Sequence, residues 1–211
     1  GDNLVLVGGS AIAIELAQSL TKFGKNISLV LEETRLLPQE DSEISMLIQA
    51  QLEADGVKIF TDSPITQLKT IADKKWVQAG KTAIETDEII FLNHKQPNLD
   101  DLNLEGVGVK TDRQGIVVNQ KLQTTNPKIY AFGDAIAKRG LRPIAFYSLT
   151  PIAQHEANIA LKNALFVPKF SVDYSFIPRT IFSKPNLAKV GITEAQAKER
   201  YGKDVYIVRQ Y

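Results

Sequence analysis

The chain has 211 residues, no cysteine, and 25 Lys and Arg balanced by 24 Asp and Glu, for a net charge of +1. Charges of both signs are interspersed, so nothing marks a nucleic-acid or anionic-membrane surface, and the missing thiols exclude disulfides, thiolate metal sites and a redox dithiol within this stretch. No apolar run approaches the roughly 18 residues that span a bilayer, and no charged-then-apolar leader precedes the first strand, so a cytoplasmic globular protein of one large or two small domains is expected.

A core strand begins by residue 4 without an initiator Met, which reads as a piece of a longer chain. Leu4-Val5-Leu6-Val7 is an uninterrupted apolar run, as in a strand buried on both faces of a parallel sheet. Gly8 and Gly9 break it. A helix follows from Ser10 to Phe23, with Ile12, Leu16, Leu20 and Phe23 expected on one face and Gly24 as the stop. Backbone N–H groups without partners, and the positive end of the helix dipole, make such a start suitable for a pyrophosphate. The full G-x-G-x-x-G fingerprint appears here as Gly8, Ser10 and Ala13. Ala13 needs only close helix-to-strand packing, whereas the second glycine lets backbone approach the pyrophosphate. Ser10 removes that freedom and offers a hydroxyl that can donate to a phosphate oxygen. An ordinary β-α corner without a ligand gives the same loose pattern.

A second strand, Ile27 to Leu31, ends at Glu32 and Glu33. A carboxylate about 20 residues past the glycine turn binds the adenosine ribose hydroxyls, whereas Arg there accommodates a 2′-phosphate. Glu32 and Glu33 therefore favour NAD over NADP, with Arg35 nearby as the opposing group; a solvated acidic turn is the alternative. Asp41 or Ser42 caps a helix with Ile44, Leu47, Ile48 and Leu52 at helical spacing, ending at Gly56. A third strand, Val57 to Phe60, completes a βαβαβ unit whose right-handed crossovers gather the strand ends on one edge. Ile65 to Ala83 reads as a β-meander in which Trp76 packs, and Glu88 to Leu92 as a returning strand.

Gly106 to Val118 reads as a hairpin and Ile129 to Phe132 as a short strand. Gly133-Asp134 at its end offers a carboxylate acceptor for a polyol hydroxyl, or a cap for the next turn. Thr150-Pro151 begins a helix through Ala164, with free N–H groups able to stabilise negative charge. His155 is read as a solvated helix residue.

Four stretches in order resemble the pyridine nucleotide-disulfide oxidoreductase family: the corner Gly8 to Gln18, the loop Leu92-Asn93-His94-Lys95-Gln96-Pro97-Asn98, the motif Thr124 to Asp134 with Leu149-Thr150-Pro151-Ile152-Ala153, and Ile177-Pro178 through Glu194. The first is most similar to mercuric reductases, where a serine likewise replaces the second glycine. The resemblance implies an α/β chain in three parts: a Rossmann-like NAD-binding domain with a parallel sheet and β-meander over 1–95, part of an FAD-binding domain over 96–168, and the start of an α+β dimerisation domain over 169–211. It implies cofactor contacts from Gly8, Gly9, Ser10, Ala11, Ile12, Glu32, Glu33, His94, Gly133, Asp134, Thr150, Pro151 and Ala153; His94 replaces a family glycine beside the nicotinamide site, so partial blocking of that site is the alternative to contact. Ala11 stands where relatives often place an aromatic gate, and Glu15 where a carboxylate lies near the flavin and pairs with a lysine. The cofactors implied are FAD and NAD, with NADP less favoured, and no bound metal; the activity is hydride transfer to flavin and on to a small-molecule disulfide or metal substrate in a homodimer.

In relatives the first FAD motif and the cysteine pair precede residue 1 and the catalytic His-Glu pair follows residue 211, so this stretch is expected to be inert alone. Ile129, Phe132 and Ile152 are then expected to be partly uncovered. A non-catalytic nucleotide-binding or regulatory module on the same fold is the alternative, motivated by Ser10, His94-Lys95 and the absent cysteines.

Overall fold

The apolar run at the start of the chain becomes β1 (Asn3–Val7), and its alternate residues face two different layers. The computed structural model describes residues 1–92, 96–137 and 150–210. Two compact units emerge: Gly1–His94 with Thr180–Ala188 and Ile192–Tyr211, and Lys95–Arg179 with Lys189–Gly191.

In the first unit, β1 is followed by α1 (Ala11–Lys22), β2 (Asn26–Val30), α2 (Ser42–Ala54) and β3 (Lys58–Phe60). A meander comes next, β4 (Ile65–Ile71), β5 (Lys74–Ala79) and β6 (Thr82–Thr86), before β7 (Glu88–Phe91) returns to the sheet. The parallel sheet has the order β3-β2-β1-β7, with Leu6 opposite Leu29 on one side and Ile90 on the other. Leu6 and Leu29 pack on Ala13, Ile14, Ala17, Ile48 and Leu52 of the helices. Val5, Val7 and Val30 point the other way, onto Val77 and Ala79 of the meander. Both faces of the sheet are thereby covered, which is why Leu4 to Val7 of β1 is a continuous apolar run rather than an alternation with polar residues.

The inward stripe of α1 differs from the one its large residues suggest. Ala13, Ile14, Ala17 and Gln18 are buried, Leu16 and Leu20 pack at the margin, and Ile12 and Phe23 are 42% and 81% exposed. Small side chains let the helix lie close to the strands, and that leaves the bulky ones outside. On α2, Leu47 is likewise exposed while Ser45, Ile48 and Leu52 face the core; the Ser45 hydroxyl donates to the Leu36 carbonyl. Trp76 is half-buried on β5, opposite Lys69 and Glu85 in the meander.

The hairpin β10 (Arg179–Ile181) and β11 (Leu187–Lys189) contributes Ile181 and Leu187 to the core around α1 and α2. Gln18, 3% exposed, clamps the connecting segment: its amide accepts from Lys184 N at 2.7 Å and donates to Lys184 O at 3.0 Å. The last helix, α4 (Glu194–Tyr201), opens with a capping box between Thr193 and Gln196. Asp41 precedes α2 yet makes no side-chain cap there, its Oδ1 accepting instead from Glu194 N at 2.9 Å.

In the second unit the hairpin is short, β8 (Thr111–Asp112) with β9 (Gly115–Ile116). The expected strand over Ile129 to Phe132 does not form. The backbone there makes one bridge, Tyr130 with Gln123, flanked by the bonds Thr124 N to Ile129 O at 2.9 Å and Ala131 N to Leu122 O at 3.1 Å, and the pairing goes no further. A 3-10 turn at Gly133–Ala135 follows, then α3 (Thr150–Leu165). Val109, Ile116, Leu122, Ile136 and Ala160 form the core. Ile129 is half-buried and Phe132 is 44% exposed, but Ile152 is 1% exposed, contrary to expectation, because Val172, Tyr174 and Ile177 cover it.

Candidate cofactor-binding sites

The corner between β1 and α1 lies where the sheet order reverses: the chain runs outward through β2 and β3, and β7 then joins the other side of β1. Ligands of open α/β sheets bind at the carboxyl ends of strands at such a point. Gly8 has φ +121°, in the left-handed half of the map that favours glycine, and its N–H donates to Val30 O at 2.7 Å. A Cβ on Gly9 would lie 2.8 Å from Leu31 Cδ1, so the turn is held tight against the loop after β2. Ser10 is the N-cap of α1. Its Oγ accepts from Ala13 N and donates to Leu92 O, both at 3.4 Å, so the hydroxyl serves the helix end and the β7 exit. Ala11 and Ile12 stand in the first turn of α1, where a helix has no carbonyl one turn back for its N–H groups.

A cleft of about 540 Å³ opens beside this corner, within the size range of small-molecule sites. Its lining includes Gly8, Glu32 and Glu33 together with Ser63, Thr66 and Gln67 from the meander side. The structure thus brings the glycine turn and both carboxylates to one cavity. Arg35 is not among the cleft residues; its guanidinium donates to Pro38 O at 3.0 Å and Glu40 O at 3.1 Å. The wall supplied by Ser63, Thr66 and Gln67 escaped the sequence reading, because no spacing rule links a meander to a crevice that forms only when it folds over the sheet.

Glu15 lies one turn into α1, where its Oε1 accepts from Phe182 N at 2.8 Å. His94, with Asn93 and Lys95, lies outside the described residues.

The second constellation joins Gly133 and Asp134 to the start of α3. Gly133 has φ +72°, and a Cβ there would stand 3.6 Å from Ala153 Cβ, so the 3-10 turn rests on the first turn of the helix. Asp134 lies inside that turn and is exposed, as are Thr150 and Pro151. His155 is half-buried rather than solvated, and its Nε2 is buried with no hydrogen-bond partner among the described residues. Two buried polar side chains of α3 have no counterpart in the sequence reading: Glu156 at 0% exposure, bonded to Gly133, and Asn163 at 1%, two turns further along and bonded to Lys121 and Phe170. The available signal was their register: with Ile152 and Ala160 they recur at helical spacing along one stripe.

Residues 1–157 match the family described as pyridine nucleotide-disulphide oxidoreductase, and the chain belongs to that family. It is 34% identical over 202 residues to a dihydrolipoyl dehydrogenase of Bacillus subtilis, covering 95% of this chain and 42% of that one. It is 35% identical over 209 residues to a mercuric reductase of Staphylococcus aureus, covering 96% of this chain and 36% of the relative. Among solved structures it superposes on the HOCl-induced flavoprotein disulfide reductase of Escherichia coli with a TM-score of 0.82 and 26% identity, covering 96% of this chain and 44% of that one. The chain therefore spans less than half the length of these relatives. Among the described residues, no helix is long and apolar enough to cross a membrane.

The residues present fit the two nucleotides such a family implies. At the head of α1, Gly8 takes the positive φ that a glycine turn needs and Gly9 packs against Leu31 where a Cβ would not fit, the backbone form that a pyrophosphate-binding corner requires. The exposed Asp134 carboxylate and the first turn of α3, brought together by the Cβ-free backbone of Gly133, fit a polyol and an electron-rich ring edge.

Proposed function

We propose that this chain is the nicotinamide-nucleotide-binding part, with a portion of the flavin-binding part, of a homodimeric cytoplasmic oxidoreductase. That enzyme passes hydride from NADH to FAD and on to a small-molecule disulfide or metal substrate. The observation that carries this reading is the tight Gly8-Gly9 turn running into α1 beside a cleft that contains Glu32 and Glu33. FAD, when bound, supplies the two-electron chemistry that side chains lack.

The chain's own groups bind and orient. Ala11 and Ile12 N–H, at the positive end of α1, hold the pyrophosphate. Glu32 and Glu33 accept from ribose hydroxyls and repel a 2′-phosphate, and Arg35, engaged by Pro38 and Glu40 carbonyls, does not offset them. Asp134 accepts from the ribityl chain, and the first turn of α3, Thr150 to Ala153, stabilises charge on the ring's pyrimidine edge. The dimer is supported by apolar side chains on the surface of the last thirty or so residues, among them Phe182 at 75%, Tyr206 at 96% and Val208 at 89% exposure.

The test is anaerobic reduction of the full-length flavoprotein by NADH and by NADPH, followed as bleaching of flavin absorbance. Faster reduction at lower concentration by NADH is expected. Faster reduction by NADPH would overturn the cofactor assignment, and no reduction by either would overturn the proposed activity.

A further inference from the structure

Glu156 is a carboxylate at 0% exposure in the middle of α3. Its two oxygens are both engaged: Oε2 accepts from the backbone N–H of Gly133 at 2.8 Å, and Oε1 accepts from the Tyr174 hydroxyl at 2.6 Å. A buried carboxylate is costly, and an apolar side chain of the same length would fill the space more cheaply. What an apolar side chain cannot do is accept the N–H of a glycine held at φ +72°. That bond sets the plane of the peptide entering Gly133 and so the direction in which the next residue, the exposed Asp134, leaves the chain. Tyr174, itself 8% exposed, holds the second oxygen and prevents the carboxylate from swinging away. Because Glu156 is rooted in α3, one side chain ties the Asp134 turn to the helix whose first turn carries Thr150 and Ala153.

We propose that Glu156 is a positioning residue for the flavin site, acting through Gly133 to hold the Asp134 carboxylate at a fixed distance from the head of α3. This rests on the reading of Asp134 and the α3 start as flavin-directed. In relaxed form, without the Gly133 contact, the turn samples several directions and Asp134 meets a ribityl hydroxyl only part of the time, which lowers affinity for the cofactor without touching it.

The test uses the full-length protein, with FAD affinity measured by titrating apoprotein and NADH affinity as the control for folding. Glu156→Met keeps the volume and removes the acceptor; Glu156→Gln keeps an acceptor oxygen for Gly133 N, its amide group donating to the Tyr174 oxygen. Glu156→Met is expected to weaken FAD binding about fivefold or more, and by no more than Asp134→Ala does, with NADH binding unchanged, and Glu156→Gln to stay within about twofold of wild type. In an Asp134→Ala background, Glu156→Met should add less than twofold, because the two act in series. Wild-type affinity in Glu156→Met, or rescue by Met as good as by Gln, would show a packing role and overturn the inference. Equal losses in both backgrounds would do the same. A wild-type protein that binds no FAD overturns the flavin reading itself, and loss on Glu156→Met without loss on Asp134→Ala overturns the route through Asp134.

Discussion

Asn163 is the second buried polar residue of α3, and its surroundings dictate an unusual order of mutational effects. Its Nδ2 donates to Lys121 O at 2.9 Å and to Phe170 O at 2.7 Å, while Oδ1 accepts from Phe170 N at 3.0 Å. Two carbonyls and one N–H around the amide fix which end is nitrogen. Removing the side chain with Asn163→Ala forfeits three bonds at about 0.5 to 1.5 kcal/mol each, so roughly 1.5 to 4.5 kcal/mol. That corresponds to a roughly ten- to two-thousand-fold rise in the local opening constant. Asn163→Asp is nearly isosteric and keeps an acceptor for Phe170 N. It nevertheless turns an acceptor-only oxygen against the Lys121 and Phe170 carbonyls, so it should destabilise at least as much as alanine. The assay is native-state hydrogen exchange, with the Phe170 amide as a direct reporter because Oδ1 is its partner. Unchanged protection of Phe170 in Asn163→Ala, or greater stability in Asn163→Asp than in Asn163→Ala, would refute the reasoning.

Gly115 has φ +139°, and a Cβ there would lie 2.5 Å from Ala135 O and 2.8 Å from Ile136 C; Gly115→Ala should cost more than about 2 kcal/mol, and an unmoved urea midpoint would contradict this. Asp134→Ala in the full-length protein should lower FAD affinity by about 1 to 3 kcal/mol through loss of one acceptor, and undiminished flavin absorbance after purification would remove that role. Asp87 accepts from Lys74 Nζ at 2.7 Å and from the N–H groups of Asp2 and Asn3. The Lys74 bond first, then the Asn3 and Asp2 amides, hold its carboxyl well below the usual carboxylate range. The folded state therefore binds this proton less readily than the unfolded chain, so the stabilisation is complete above about pH 4 and is lost as pH falls through the depressed folded value. The difference in melting temperature between wild type and Asp87→Asn should be constant from about pH 6 to 4 and narrow progressively from about pH 4 to 2; a difference that stays constant to about pH 2 would refute the linkage.

Much of the first unit was legible in the sequence because its signals are local. The glycine break after Leu4 to Val7, the capping Ser10, the carboxylates ending the second strand and the alternating pieces around Trp76 each declare themselves within a few residues. Their arrangement along the chain is enough to order β1, α1, β2, α2, β3 and the meander. The Thr150-Pro151 helix start was legible for the same reason. The second unit gave less, since Ile129 to Phe132 has the composition of a strand, and composition does not say whether a neighbour will pair with it. In the structure the backbone there meets a single bridge, Tyr130 with Gln123, rather than a ladder.

The sequence by itself determined the kinds of elements, their order and the short-range chemistry of the corner, because backbone propensity, capping and glycine conformation act over a turn or two. Only the tertiary structure decided which side chains those elements turn inward. The spacing between α1 and its sheet selects Ala13 and Ala17 over Ile12 and Phe23, a choice set by the surface opposite and not by the helix. Likewise Glu15 finds Phe182, Gln18 finds Lys184 and Glu156 finds Gly133 and Tyr174 across long stretches of chain. A buried polar group is stable only beside its partner, and chain folding, rather than sequence spacing, brings that partner within about 3 Å.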